Sequence, residues 1–193
     1  MVNETIITVA DKLRMAEEAG IKFPHYTNTD NPIDFPKDTT VLKHTKGNLL
    51  DLAEAGEFDI VVQGCNCFNT MGGGIAREIR ERYPMAALVD NETLKGDYRK
   101  LGNWTTAFTG KFLIVNAYTQ YNMSQGTDVF EYGAFQLILE KLSFVYPGKR
   151  IGLPYIGCGL AGGEQETIVD MIEVFAKRVA LEGGTVTLVE FVR

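Results

Sequence analysis

The chain has 193 residues, 45% of them hydrophobic and 23% charged, a size and balance that give one domain with a full core and exclude a disordered or fibrous class. Nineteen Lys and Arg against 25 Asp and Glu leave a net charge of −6, which argues against a surface built to follow a nucleic-acid backbone. No apolar run reaches membrane-span length, and Met1-Val2-Asn3-Glu4 is not a basic signal start. The three cysteines lack metal-clip spacing and the histidines are only His25 and His44, so neither a metal site nor a cofactor is expected; free thiols fit a reducing, cytoplasmic setting.

In chain order, residues 5–19 carry helical periodicity, with Gly20 placed to end the helix. Pro24, Pro32 and Pro36 then mark an irregular stretch, and residues 1–38 together read as an N-terminal extension ahead of a domain over residues 39–193. Residues 39–44 read as a strand, 49–55 as a short helix or turn, and 59–62 as a buried strand. Residues 74–83 form a helix stopped by Pro84, and a second short helix covers 85–94. Strands at 104–108 and 111–117 flank a Thr109-Gly110 turn, the pattern of a hairpin. A helix over 130–146, a strand over 151–153, a helix over 164–181 and a strand over 185–192 complete the chain. Strands alternating with helices predict a three-layer α/β/α domain around a mixed, largely parallel sheet.

Two loops carry the functional signal. The first, Gly64-Cys65-Asn66-Cys67-Phe68-Asn69-Thr70-Met71-Gly72-Gly73-Gly74-Ile75-Ala76, runs from a strand into a helix. The second, Pro154-Tyr155-Ile156-Gly157-Cys158-Gly159-Leu160-Ala161-Gly162-Gly163, does the same. Either alone reads equally well as a tight connection. Neither matches the dinucleotide or P-loop spacing. Glycine lets backbone N–H groups approach a ligand, and the positive end of a helix dipole attracts phosphate, so the pair predicts two walls of one anion-binding crevice beyond the strand C-termini. Lys95, Arg99 and Lys100 form a small basic cluster that reads as a solvated face.

Four segments in register carry a family likeness: Lys46-Gly47-Asn48-Leu49-Leu50, residues 59–66, residues 71–76 and residues 154–163. Over residues 39–193 the chain resembles the macro domain (the Appr-1″-p processing family). Its nearest look is to the branch of yeast-type ADP-ribose-1″-phosphate phosphatases and of hydrolases acting on ADP-ribosyl-glutamate and ADP-ribosylated DNA.

The resemblance implies an ADP-ribose site. Asn48 stands where the family carries an adenine-contacting aspartate, with the Leu49 N–H beside it, and Asn66 matches the asparagine on the distal ribose. Thr70, Met71, Gly72, Gly73, Gly74 and Ile75 would wrap the ligand from one side, and Gly157, Cys158, Gly159, Leu160 and Ala161 from the other. Thr119, Gln120 and Tyr121 would line the pocket edge, and Phe191 is either an adenine stacker or a core aromatic. The hydrolases of the branch are implied to use a lysine and an aspartate where Gly73 and Ala161 stand here. Catalytic candidates are then Asn66, Asn69 and Glu164. Glu164 is also a fitting first-turn helix residue, and Cys67 is either a nucleophile or a buried apolar group. The expected activity is hydrolysis of ADP-ribose-1″-phosphate to ADP-ribose and phosphate by a monomer with no membrane partner. The alternatives are release of ADP-ribose from a modified protein or nucleic acid, and a non-catalytic ADP-ribose reader.

Overall fold

The structure, a computed structural model, describes residues 41–123 and 129–192. The predicted helix over 5–19, the irregular stretch after it and the start of the first strand lie outside the described residues.

Six strands form one sheet: β1 Leu42–Lys46, β2 Ile60–Asn66, β3 Trp104–Phe108, β4 Leu113–Gln120, β5 Arg150–Leu153 and β6 Thr185–Glu190. Their order is β1-β6-β5-β2-β4-β3. Every neighbouring pair is parallel except β3 with β4, the predicted hairpin. Among the described residues, five helices and one 3-10 turn accompany it: α1 Leu49–Glu54, α2 Gly74–Arg82, α3 Pro84–Asn91, the turn Tyr98–Lys100, α4 Tyr132–Val145 and α5 Gln165–Leu181.

The alternation of side chains along a strand explains the layers. Ile60 and Val62 of β2 face α4 and α5, joining Phe135, Ile138, Ile172 and Phe175 in the larger core. Val61 points the other way, with Ile114, onto Leu50, Ile79 and Ala86 of α1, α2 and α3. A strand covered on both faces reads as a continuous apolar run, which is why Ile60-Val61-Val62 is legible as central. A third, smaller cluster of Cys65, Cys67, Met71 and Tyr118 fills the C-terminal end of β2 and β4, directly under the first glycine loop.

Several boundaries differ from the sequence reading. β2 runs on to Asn66 and β4 to Gln120, past the last apolar residues. The reason is a buried amide pair: Gln63 and Asn116 sit opposite one another, and Gln63 Nε2 donates to Asn116 Oδ1 at 2.7 Å. Asn116 Nδ2 in turn donates to the Ala86 carbonyl at 2.8 Å. Polar side chains so paired stay inside the sheet. α4 begins at Tyr132, because Phe130 forms an isolated bridge with Gln120. Pro84 does not merely stop α2. It opens α3 from the first helical position, where its missing N–H has no partner to lose.

Candidate functional site

Five parallel strands deliver their following segments to one edge of the sheet. Across that edge stand Asn48 after β1, Phe191 after β6, the second glycine loop after β5, the first after β2, and Thr119-Gln120-Tyr121 at the end of β4. Adjacent strands are about 4.8 Å apart, so β6 to β2 spans roughly 10 Å of crevice floor.

Asn66, 7% exposed, is held by its own loop. Its Nδ2 donates to the Thr70 carbonyl at 3.0 Å, while its Oδ1 accepts from Phe68 N and Thr70 Oγ1, both at 2.9 Å. These bonds fold residues 66–70 into a tight turn and fix the carboxamide. Gly73 is the N-cap of α2, in extended conformation, and no side chain caps the helix. Its first turn also carries no acidic residue. α2 therefore presents its dipole and first amides without a built-in counter-charge, unlike α1 and α5.

The second loop meets the first. A Cβ built on Gly73 would lie 3.2 Å from Leu160 Cδ1, so the missing side chain makes room for Leu160, which is 69% exposed above the glycines. Gly157 is held at φ 83°, and a Cβ there would lie 2.3 Å from the Phe130 ring. Only glycine fits that position. Val129 N donates to Ala161 O at 3.0 Å and Glu131 N to Thr119 O at 2.8 Å, lacing the second loop to the end of β4.

The other candidate residues divide by what already occupies them. Leu49, Met71, Thr119 and Ala161 have buried side chains, leaving chiefly their backbone to a ligand. Gly72, Gly74, Gly159 and Leu160 are exposed at the loops, with Ile75, Gly157 and Cys158 half-buried beside them. Phe191 is 62% exposed, beside the point where Gly47 N donates to Glu190 O at 2.9 Å. The core reading of Phe191 does not hold. Asn48 caps α1: its Oδ1 accepts from Leu50 N at 2.8 Å and Asp51 N at 3.2 Å, and its Nδ2 donates to Glu78 Oε1 at 2.9 Å. Gln120 Nε2 donates to Asn122 O at 2.7 Å. Tyr121 stacks flat on Tyr98, centroids 3.6 Å apart, and its hydroxyl donates to Gly96 O at 3.0 Å.

Glu164 is the N-cap of α5 and accepts from Glu166 N at 3.1 Å and Thr167 N at 2.7 Å. Hydrogen bonds from Thr167, and after it Glu166, hold its carboxyl below the usual carboxylate range. Burial pushes the Cys67 thiol up, which removes the basis for a thiolate nucleophile. Asn69 directs its side chain away from the loop surface. Its Nδ2 donates to the carbonyls of Asp90 at 2.8 Å and Thr93 at 3.1 Å, and its Oδ1 accepts from Lys100 Nζ.

That lysine corrects the solvated-face reading of the basic cluster. Arg99 is on the surface, but Lys100 is 7% exposed and reaches under the first loop. The turn Tyr98–Lys100, capped by Asp97 through Arg99 N at 2.9 Å, aims it inward. Periodicity carries no trace of this. The nearest sequence signal is the Asp97 to Arg99 capping spacing.

No protein-family model matches the chain. An uncharacterised 17.5 kDa protein from the tk-vs intergenic region of Enterobacteria phage T4 is 28% identical over 150 residues, 73% of this chain and 94% of the relative. The macrodomain of Thermus aquaticus DarG superposes with a TM-score of 0.61 at 20% identity, covering 77% of this chain and 97% of that one. A Trypanosoma brucei macrodomain in complex with ADP-ribose gives 0.60 at 12% identity, covering 82% and 68%. Sheet order, glycine loops and these superpositions agree: the chain has the macrodomain fold.

Proposed function

We propose that the chain binds ADP-ribose along the strand C-termini and hydrolyses ADP-ribose-1″-phosphate to ADP-ribose and phosphate. The observation that carries the binding reading is the uncapped start of α2, set between the fixed Asn66 carboxamide and the overhanging second loop. A pyrophosphate fits that place because backbone amides and a helix dipole supply positive potential in a chain of net charge −6. The Trypanosoma brucei relative crystallised with ADP-ribose supports the same ligand. Phe191, exposed beyond the end of β6, is the residue that stacks on the adenine in this reading. With two backbone N–H groups already on its Oδ1, Asn48 shapes the adenine end by fixing α1 rather than by accepting the adenine amine.

For the chemistry, water attacks phosphorus, the bond from phosphorus to the ribose 1″ oxygen breaks, and the proton ends on the products. Glu164 and Asn69 are both committed to other bonds, so in this reading their roles are capping and loop positioning. Catalysis then rests on loop amides and on the second Nδ2 hydrogen of Asn66, the first being held by the Thr70 carbonyl, to stabilise charge on the transferring phosphoryl group.

Phosphate release from ADP-ribose-1″-phosphate tests the reading. Wild type should release phosphate, and Asn66→Ala should lose about 100- to 1000-fold in rate, the scale of one lost transition-state donor. Retained ADP-ribose binding without any release by wild type would leave a reader. Release of ADP-ribose from a modified macromolecule, with no phosphate release, would favour the hydrolase alternative.

A further inference from the structure

Asp90 and Lys100 are the two charged side chains buried among the described residues, at 1% and 7% exposure, and the chemistry above uses neither. The three donors of the Lys100 ammonium meet three acceptors: the Cys67 carbonyl at 3.3 Å, Asp90 Oδ1 at 3.4 Å, and Asn69 Oδ1. The ammonium also lies 4.2 Å from the centre of the Tyr118 ring, while Tyr118 OH donates to Asp90 Oδ1 at 2.8 Å. The ammonium, Asp90 Oδ1 and the Tyr118 hydroxyl therefore satisfy one another inside the fold. A buried ion pair costs desolvation and is a weak source of stability, so its location is the informative part.

That location is within the Asn66 turn, against Cys67 and Asn69, two of the residues between Asn66 and Thr70. Lys100 grips Cys67 and Asn69, and the three groups that hold the Asn66 carboxamide, Phe68 N and the carbonyl and hydroxyl of Thr70, are interleaved with them. Asn69 is also the one non-glycine at positive φ among the described residues, at 58°. Asparagine tolerates the left-handed conformation better than other non-glycine residues, and here its side-chain bonds to Lys100, Asp90 and Thr93 anchor it in that geometry.

We infer that Lys100, anchored by Asp90, is the positioning residue of the candidate site: it clamps Cys67 and Asn69 from below and so fixes the Asn66 carboxamide and the glycines that follow. The interaction reaches the ligand through Asn66 and the loop backbone, never directly.

The test is the charge-neutral double variant Lys100→Met with Asp90→Asn, which leaves no buried charge unpaired and keeps an acceptor for Tyr118. Amide hydrogen exchange is read by mass spectrometry or NMR on the ligand-free protein. The expected result is faster exchange at Phe68, whose N–H bonds Asn66, by about tenfold or more, with β2 and β4 amides unchanged. ADP-ribose affinity should fall by about tenfold, because the loop must then be ordered on binding. Asn69→Gly, which removes the Lys100 acceptor together with the bonds to the Asp90 and Thr93 carbonyls yet suits positive φ, should reproduce the local effect and serves if the double variant does not fold. Unchanged Phe68 exchange would overturn the inference. So would loss of protection spread evenly through the core, which marks a purely structural pair. The affinity arm rests on the proposed ADP-ribose reading; the exchange arm does not, so failure of wild type to bind ADP-ribose leaves it decisive.

Discussion

Gly157→Ala tests whether the second loop owes its path to a glycine. Two costs add at this position. A non-glycine residue at φ 83° is in left-handed territory, at about 1–2 kcal/mol. The added Cβ also sits 2.3 Å from the Phe130 ring, and relieving such overlap costs about 1–3 kcal/mol. Phe130 cannot swing away cheaply: it is 5% exposed and packs edge-on against Tyr132 and Phe135, with centroids 5.0 and 5.4 Å away. The sum is about 2–5 kcal/mol, or a fall in Tm of roughly 4–20 °C for a domain this size. Gly159→Ala, two residues on in the same loop, is the control. Its added Cβ meets nothing within 4 Å, so the change should stay within about 0.5 kcal/mol. Urea unfolding and thermal melts of both variants measure the contrast. Equal effects, or a Gly157→Ala cost below about 1 kcal/mol, would refute the geometric reasoning for this loop.

Three further outcomes are expected. Phe191→Ala should weaken ADP-ribose by about 1–3 kcal/mol, roughly 5- to 150-fold in Kd by calorimetry, with little change in Tm because the ring is 62% exposed. Glu164→Ala should lower the thermal midpoint and speed exchange at the Glu166 and Thr167 amides it caps; unchanged exchange there would contradict the capping role. Asp59 is held below its usual pKa by Arg150, first through side-chain hydrogen bonds, with Arg150 Nη2 2.7 Å from Asp59 Oδ1. Because the folded pKa is depressed, the pair contributes fully above the unfolded pKa of about 4, and the contribution is lost as pH falls through the folded value. The gap in urea midpoint between wild type and Asp59→Asn should therefore be widest above about pH 5 and close in acid.

The sheet and its layers were legible because apolar runs such as Ile60-Val61-Val62 and the turns between elements follow directly from burial and chain geometry. What escaped was polar and long-range. The Gln63 to Asn116 pair lets β2 and β4 continue where hydropathy ends, across a sequence separation of 53 residues. The glycine loops announced themselves, since glycine is chosen by backbone constraints that act locally. The caps were half legible. Asn48 and Glu164 stand where helices begin, and their side chains serve those helices rather than being left free for a ligand. Lys100 was misread because nothing local distinguishes a buried lysine from a solvated one; its partners come from residues 67, 69 and 90.

Titration of ADP-ribose into labelled protein, followed by amide NMR, tests the central claim most directly. Saturable one-to-one binding is expected, with the largest shifts at residues 72–76, 157–161 and 191. No shift at millimolar ADP-ribose, or shifts confined to residues away from the two glycine loops, would contradict it.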